Sequence, residues 1–183
     1  IGADEGTFIG ADLSGPSISY SPLSNSICTN AVTVSAIITD PSGVTVATNV
    51  KPRLWFKKAT ENNVLPATNT SADNGWKFVE ASNVTSPFAF PIDYSLLTSP
   101  LVGGDVVEYF IVAQDSVGNL GTNNATYTLT PPSVALGAAA FPVSGVNNFR
   151  VIQTPIVLVT NASTNQLCFI GSVALTLSGD TVT

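Results

Sequence analysis

"DVVEYFIVAQD", Asp105 to Asp115, is the stretch on which the fold turns. Val107, Tyr109, Ile111 and Ala113 alternate with Val106, Glu108, Phe110 and Val112. A period of two places the two sets on opposite faces of a β-strand. Both sets are apolar apart from Glu108, so this strand is expected at the centre of a layered structure, covered on either side.

Other runs share the alternation. "AVTVSAII" puts Val32, Val34, Ala36 and Ile38 on one face, and "RLWFKK" puts Leu54 and Phe56 opposite Arg53, Trp55 and Lys57. "PFAFPIDY" aligns Phe88, Phe90, Ile92 and Tyr94, and "ATYTLT" (125–130) alternates as well. Turn signals separate the runs: "DPSG" at Asp40, "DNG" at Asp73, "VGG" at Val102 and "SVGN" at Ser116. No window carries a helical period, and "IDYSLLTS" (92–99) has room for one turn. Short strands at this spacing indicate an all-β antiparallel sandwich.

Composition narrows the function. Charged residues make up 10% of the 183 residues, against about 25% in ordinary soluble domains, so polarity comes from Ser, Thr, Asn and Gln. The net charge of −6 repels phosphate backbones, and no nucleic-acid partner is expected. The chain has no histidine, which excludes Ser-His-Asp, Cys-His and His-ligated zinc chemistry within it. Two cysteines cannot build a four-cysteine zinc site. Asp105 and Glu108, three apart on a strand, point to opposite faces and make a poor acid–base pair. No apolar run is long enough for a membrane helix, and Ile1 opens no signal-peptide pattern. A signal already removed, or a segment of something larger, is expected.

The end of the chain echoes its beginning. "CFIGSVALTLSGD" (168–180) resembles "CTNAVTVSAIITD" (28–40). With Cys28 on Cys168, Asn25 falls on Asn165, Ile27 on Leu167 and Asp40 on Asp180. A one-residue slip sets Val32 and Val34 on Val173 and Leu175, and Pro16 and Pro155 open the preceding extended runs. The period of about 140 residues suits one sandwich domain. The expected organisation is a tail or the end of a preceding module over 1–15, a sandwich over 16–152, and the opening strands of a second module over 153–183. A strand pair alone is marginal in water and calls for a partner.

"KPRLWFKK", "GWKFVEASNVTSPFAFPIDYSLL" and "GDVVEYFIVAQDSVGN" together resemble immunoglobulin-like β-sandwich modules of large secreted and cell-surface proteins of Bacteroidetes-type bacteria. "CFIGSVALTLSG" is similar to the opening of another such module, departing from it at Phe169 and Ile170. The likeness covers about 16–130 and 155–183. It implies an immunoglobulin-like fold, an extracellular or cell-surface location, and work as a spacer, an adhesive unit or an accessory domain beside an enzyme. In similar modules a loop like "AQDSVGN" helps to bind calcium between domains. Asp115 and Asn119, with Asp4, Glu5 and Asp12 of the lead-in, are then the candidate ligands. The rival reading of Asp115 and Asn119 is an Asx-type turn. Asp115-Ser116-Val117 and Asp180-Thr181-Val182 resemble the Asp-Ser/Thr-aliphatic O-glycosylation signal of such proteins.

Further candidates stand on residue type. Trp55, Trp76 and Tyr20 offer a sugar-stacking platform, or else core packing. Lys51, Arg53, Lys57 and Lys58 make a basic strand, either a site for an acidic glycan or acidic patch, or a solvated face. Cys28 and Cys168 pair with each other only if the end strands fold back; otherwise they are free thiols or pair elsewhere. Asn69, Asn83, Asn124 and Asn161 open N-x-Ser/Thr sequons.

The function expected is a non-catalytic structural and adhesive module of a secreted or surface-exposed bacterial protein. Its partners are neighbouring modules or identical subunits joined through β edges, in the sharper form as a filament grown by strand addition. The alternative is an accessory glycan-binding module of a secreted carbohydrate-active enzyme, with surface glycans as ligands. No cofactor is required, with calcium the one ion these residues suit.

Overall fold

The computed structural model describes residues 11–152 with the exception of Cys28. It is all-β: β1 Ser17–Ser19, β2 Thr33–Thr39, β3 Arg53–Lys58, β4 Lys77–Glu80, β5 Phe88–Pro91, β6 Val106–Gln114, β7 Leu120–Thr122 and β8 Asn147–Arg150. One sheet runs β1-β2-β5. The other runs β4-β3-β6, with β7 on the end of β6 at Val112–Gln114 and β8 on its start at Val106–Tyr109. Every strand pair is antiparallel. The expected all-β sandwich is what the chain forms. "IDYSLLTS" holds a single 3-10 turn, Tyr94–Leu96.

β6 sits at the centre because both its faces are covered. Val107, Tyr109, Ile111 and Ala113 join Leu54, Phe56, Val34, Ile38, Phe88 and Phe90 between the sheets. Phe110 and Val112 face outward with Trp55, under the long β7–β8 connection, which contributes Val134, Ala140, Phe141 and Val143. The sandwich therefore carries a third layer over its larger sheet. Burying each large apolar side chain stabilises the fold by about 1.5–3 kcal/mol.

Two expectations are corrected here. "ATYTLT" forms no strand; it makes one bridge, Thr126 to Ser144, and presses Ala125 and Tyr127 onto the second core. Its alternation reports a half-buried face, not a ladder. The basic strand is not a solvated face: Arg53, Lys57 and Lys58 are 6%, 3% and 5% exposed. β3 pairs on both sides, so its cations have no free edge to occupy. Their stems lie along the sheet, and their heads meet Glu80 (3.1 Å), Glu108 (2.7 Å) and Asp105 (2.8 Å).

The edges at β5 and β4 are guarded. On β5, Phe88 and Phe90 face β2, and Ile92 continues this pattern by donating its N–H to Val32. Positions 87, 89 and 91 therefore point outward. Pro87 and Pro91 have no N–H, and the Ala89 N–H is taken by Asn83 Oδ1 at 2.8 Å. On β4, the Asn69 side chain clamps Phe78, accepting from its N–H at 2.9 Å and donating to its carbonyl at 3.0 Å. Two of the sequon asparagines thus serve as edge caps.

Candidate metal centre

Three loops meet at the pole where the lead-in joins the sandwich. The turn after β2 is "DPSG". Asp40 Oδ1 accepts from the Ser42 N–H (2.8 Å) and hydroxyl (2.7 Å), and Gly43 closes the turn at φ 93°. The turn after β6 is "DSVGN". Asp115 Oδ1 accepts the N–H groups of Val117, Gly118 and Asn119 at 3.0, 2.6 and 2.7 Å. The two turns are laced together: Thr45 N–H donates to the Gln114 carbonyl and Ser116 N–H to that of Gly43. The Ser116 hydroxyl, at the glycosylation-like signal, donates to the Ser42 carbonyl at 2.6 Å.

The lead-in is pressed against this pair. A Cβ on Gly15 would stand 2.1 Å from the Leu120 oxygen, and one on Gly121 2.0 Å from that of Pro16. Only glycine permits that approach. The Asn119 amide nitrogen then bridges, donating to the Asp12 carbonyl (3.0 Å) and to Asp115 Oδ2 (2.8 Å). As a result, carboxylate oxygens of Asp12, Asp40 and Asp115 all lie within 4.8 Å of one another.

This set fits calcium. Oxygens on one Ca²⁺ stand at about 2.3–2.6 Å from it, so about 5 Å is the widest they can be apart. Asp12 Oδ2 is buried and has no hydrogen-bond partner among the described residues. No ion pair among the described residues reaches any of the three carboxylates. Burial works to raise the Asp115 pKa. Hydrogen bonds from the Asn119 side chain and from the three N–H groups outweigh it and hold the carboxyl below its ordinary range. Asp115 is therefore an anion already aimed by its own turn.

The Asx-turn reading of Asp115 holds through Oδ1, while Oδ2 accepts the Asn119 amide alone and keeps a lone pair that an ion can use. Asn119 lies at the centre, but it is the amide nitrogen that is engaged, which makes it a positioning residue. Asp4 and Glu5 lie outside the described residues, as do Cys28 and Cys168. Asp40 was not among the candidates. Its turn was legible as "DPSG", but nothing in the spacing linked it to Asp115, 75 positions on.

The sugar-stacking platform is corrected. Trp55 and Trp76 are 1% and 0% exposed, packed in the outer core. Their indole N–H groups donate to the Val134 carbonyl (3.2 Å) and Asn63 Oδ1 (2.8 Å). Tyr20 packs against the other core, beside Tyr109. The three share no surface.

Comparison with protein-family models and with curated proteins finds no match to this chain. Among the described residues no helix is long and apolar enough to cross a membrane.

Proposed function

We propose that the chain is a structural module of a secreted or surface-exposed bacterial protein. In this reading it is an immunoglobulin-like unit that spaces its neighbours and is stiffened by calcium where the chain enters it. One observation carries the reading: Asp12 of the lead-in converges with Asp40 and Asp115 of the sandwich, leaving one buried oxygen unpartnered. An ion held by all three ties the incoming chain to the body of the module. It also offsets the mutual repulsion of three carboxylates. Sites of this kind in extracellular modules work at about 10⁻⁴–10⁻³ M calcium, a concentration found outside cells.

The resemblance of the β3 to β6 region to bacterial surface modules supports the compartment. The guarded edges of β4 and β5 weigh against lateral growth by strand addition, so the contacts with neighbours are drawn end to end. The glycan-binding alternative loses the aromatic surface on which it was based.

The test is calorimetric titration of CaCl₂ into the full chain after treatment with EDTA, with thermal unfolding alongside. Binding of one ion is expected, with millimolar calcium raising the melting temperature by about 3–8 °C. Asp12→Asn should abolish most of that gain while leaving the EDTA form folded. A folded chain that binds no calcium in this range would withdraw the calcium clamp. A hydrolase activity of the chain would withdraw the structural reading itself.

A further inference from the structure

At the opposite pole a groove of about 450 Å³ lies along the segment that follows β5. Its size falls within the roughly 300–1,000 Å³ of small-molecule sites. Among the described residues that line it none carries a charge, and six carry hydroxyls: Thr29, Ser71, Tyr94, Ser95, Thr98 and Ser99. We infer that this groove binds a neutral saccharide.

The argument rests on how the hydroxyls are held. The Ser95 hydroxyl donates to Asp93 Oδ1 at 2.6 Å, and the Thr98 hydroxyl donates to Glu61 Oε1 at 2.7 Å. With their protons committed, both hydroxyl oxygens are left to act as acceptors. Ser99 is held the other way round: its oxygen accepts from Lys58 Nζ at 3.0 Å, which leaves its proton to donate. Lys58 is fixed in turn by Asp105 (2.8 Å) and by the Pro100 carbonyl (2.7 Å). The wall therefore offers acceptors and a donor within a few residues, set by the buried Lys58 and Glu61 and by the exposed Asp93.

A sugar hydroxyl donates and accepts at once, and a run of them matches such a mixed wall. A charged ligand finds no counter-charge among the described lining residues. Tyr94 adds a half-buried ring, the kind of surface on which the apolar face of a sugar rests. This site shares no residue with the calcium centre and does not depend on it.

The test uses the full chain, ¹⁵N-labelled, in amide correlation spectra titrated with cello-, xylo-, malto- and manno-oligosaccharides, with an oligogalacturonate as the charged control. A neutral oligosaccharide is expected to shift, saturably, the amides of Thr29, Ser71, 94–99 and Leu101. Ser95→Ala and Ser99→Ala should each weaken it by about threefold to tenfold. Removing calcium should leave the affinity unchanged. Ser95 is exposed, so its variant reports on binding without disturbing the core. The inference is overturned if no neutral oligosaccharide gives saturable shifts at millimolar concentration in a well-dispersed spectrum. It is equally overturned if the shifts map elsewhere, if Ser95→Ala and Ser99→Ala both bind as well as the parent, or if oligogalacturonate binds more tightly.

Discussion

The two poles of the sandwich handle charge in opposite ways. Where the lead-in enters, Asp12, Asp40 and Asp115 converge and no described cation pairs with them. At the far pole the cations at the end of β3 meet carboxylates: Lys57 pairs with Glu108, and Lys58 with Asp105. Glu61 is spent on Thr98 and on the Lys58 N–H. The first pole gathers three carboxylates with no described cation beside them, which is the opening the proposed ion would fill. The second is complete in itself, and only hydroxyls are left to line its groove. Among the described residues, one fold thus gathers unpaired carboxylates at one end and a hydroxyl-lined groove at the other.

The comparison can be broken most forcefully at Glu61. This side chain belongs to a residue 6% exposed. It accepts the N–H groups of Lys58 and Thr98, each at 2.8 Å. Glu61→Ala strands both donors beside a buried lysine and should cost about 3–5 kcal/mol in urea unfolding. The loss should be equal in calcium and in EDTA, because the poles do not share residues. A loss below about 1 kcal/mol would mean that the far pole is not held together by this network.

Lys77 sharpens the same contrast with a smaller effect. It is the exception at the self-contained pole: fully buried, bonded to the Asp73 carbonyl, with no carboxylate at ion-pair distance among the described residues. Burial lowers its pKa, against the opposing pull of Glu61 and Asp73. The folded state thus holds the proton less tightly than the unfolded chain. That penalty is present in full below the folded pKa and is relieved as pH rises toward the ordinary lysine value. Lys77→Met should therefore stabilise the protein by about 1 kcal/mol at neutral pH. The gain should shrink by pH 10. A variant that is destabilised at both pH values would show that the Asp73 bond outweighs the burial.

The frame of the molecule was legible because period-two alternation reports burial directly. β6, β2 and β5 were read from the faces that bury them, Tyr109 and Phe90 included. What stayed hidden was everything set by distance along the chain. "RLWFKK" looks like a charged surface until β4 and β6 close on both its sides and supply Glu80 and Glu108. Trp55 looks like a platform until the β7–β8 connection folds over it. At the metal centre, Asp115 and Asp12 were readable as oxygen donors near a turn. Asp40 was not, because bonds from Thr45 to Gln114 and from Ser116 to Gly43 bring it there. Cys28 and the second copy of the repeat, with Cys168, lie outside the described residues, and the repeat remains a reading of the sequence.

Asp40→Asn makes the smallest change and draws the sharpest line between the poles. Asparagine keeps an Oδ1 to accept the two Ser42 bonds, so the turn should survive. What is lost is one negative charge among three that crowd within 4.8 Å. In EDTA at low salt, relief of repulsion should stabilise the variant by about 0.5–1 kcal/mol, and added salt should erase the gain by screening. In calcium the sign reverses, because the same change removes a charged ligand and with it part of the binding energy. The curves of parent and variant, measured by thermal unfolding against calcium concentration, should therefore cross. Parallel curves would mean that the three carboxylates neither repel one another nor share an ion, and the first pole would then differ from the second only in appearance.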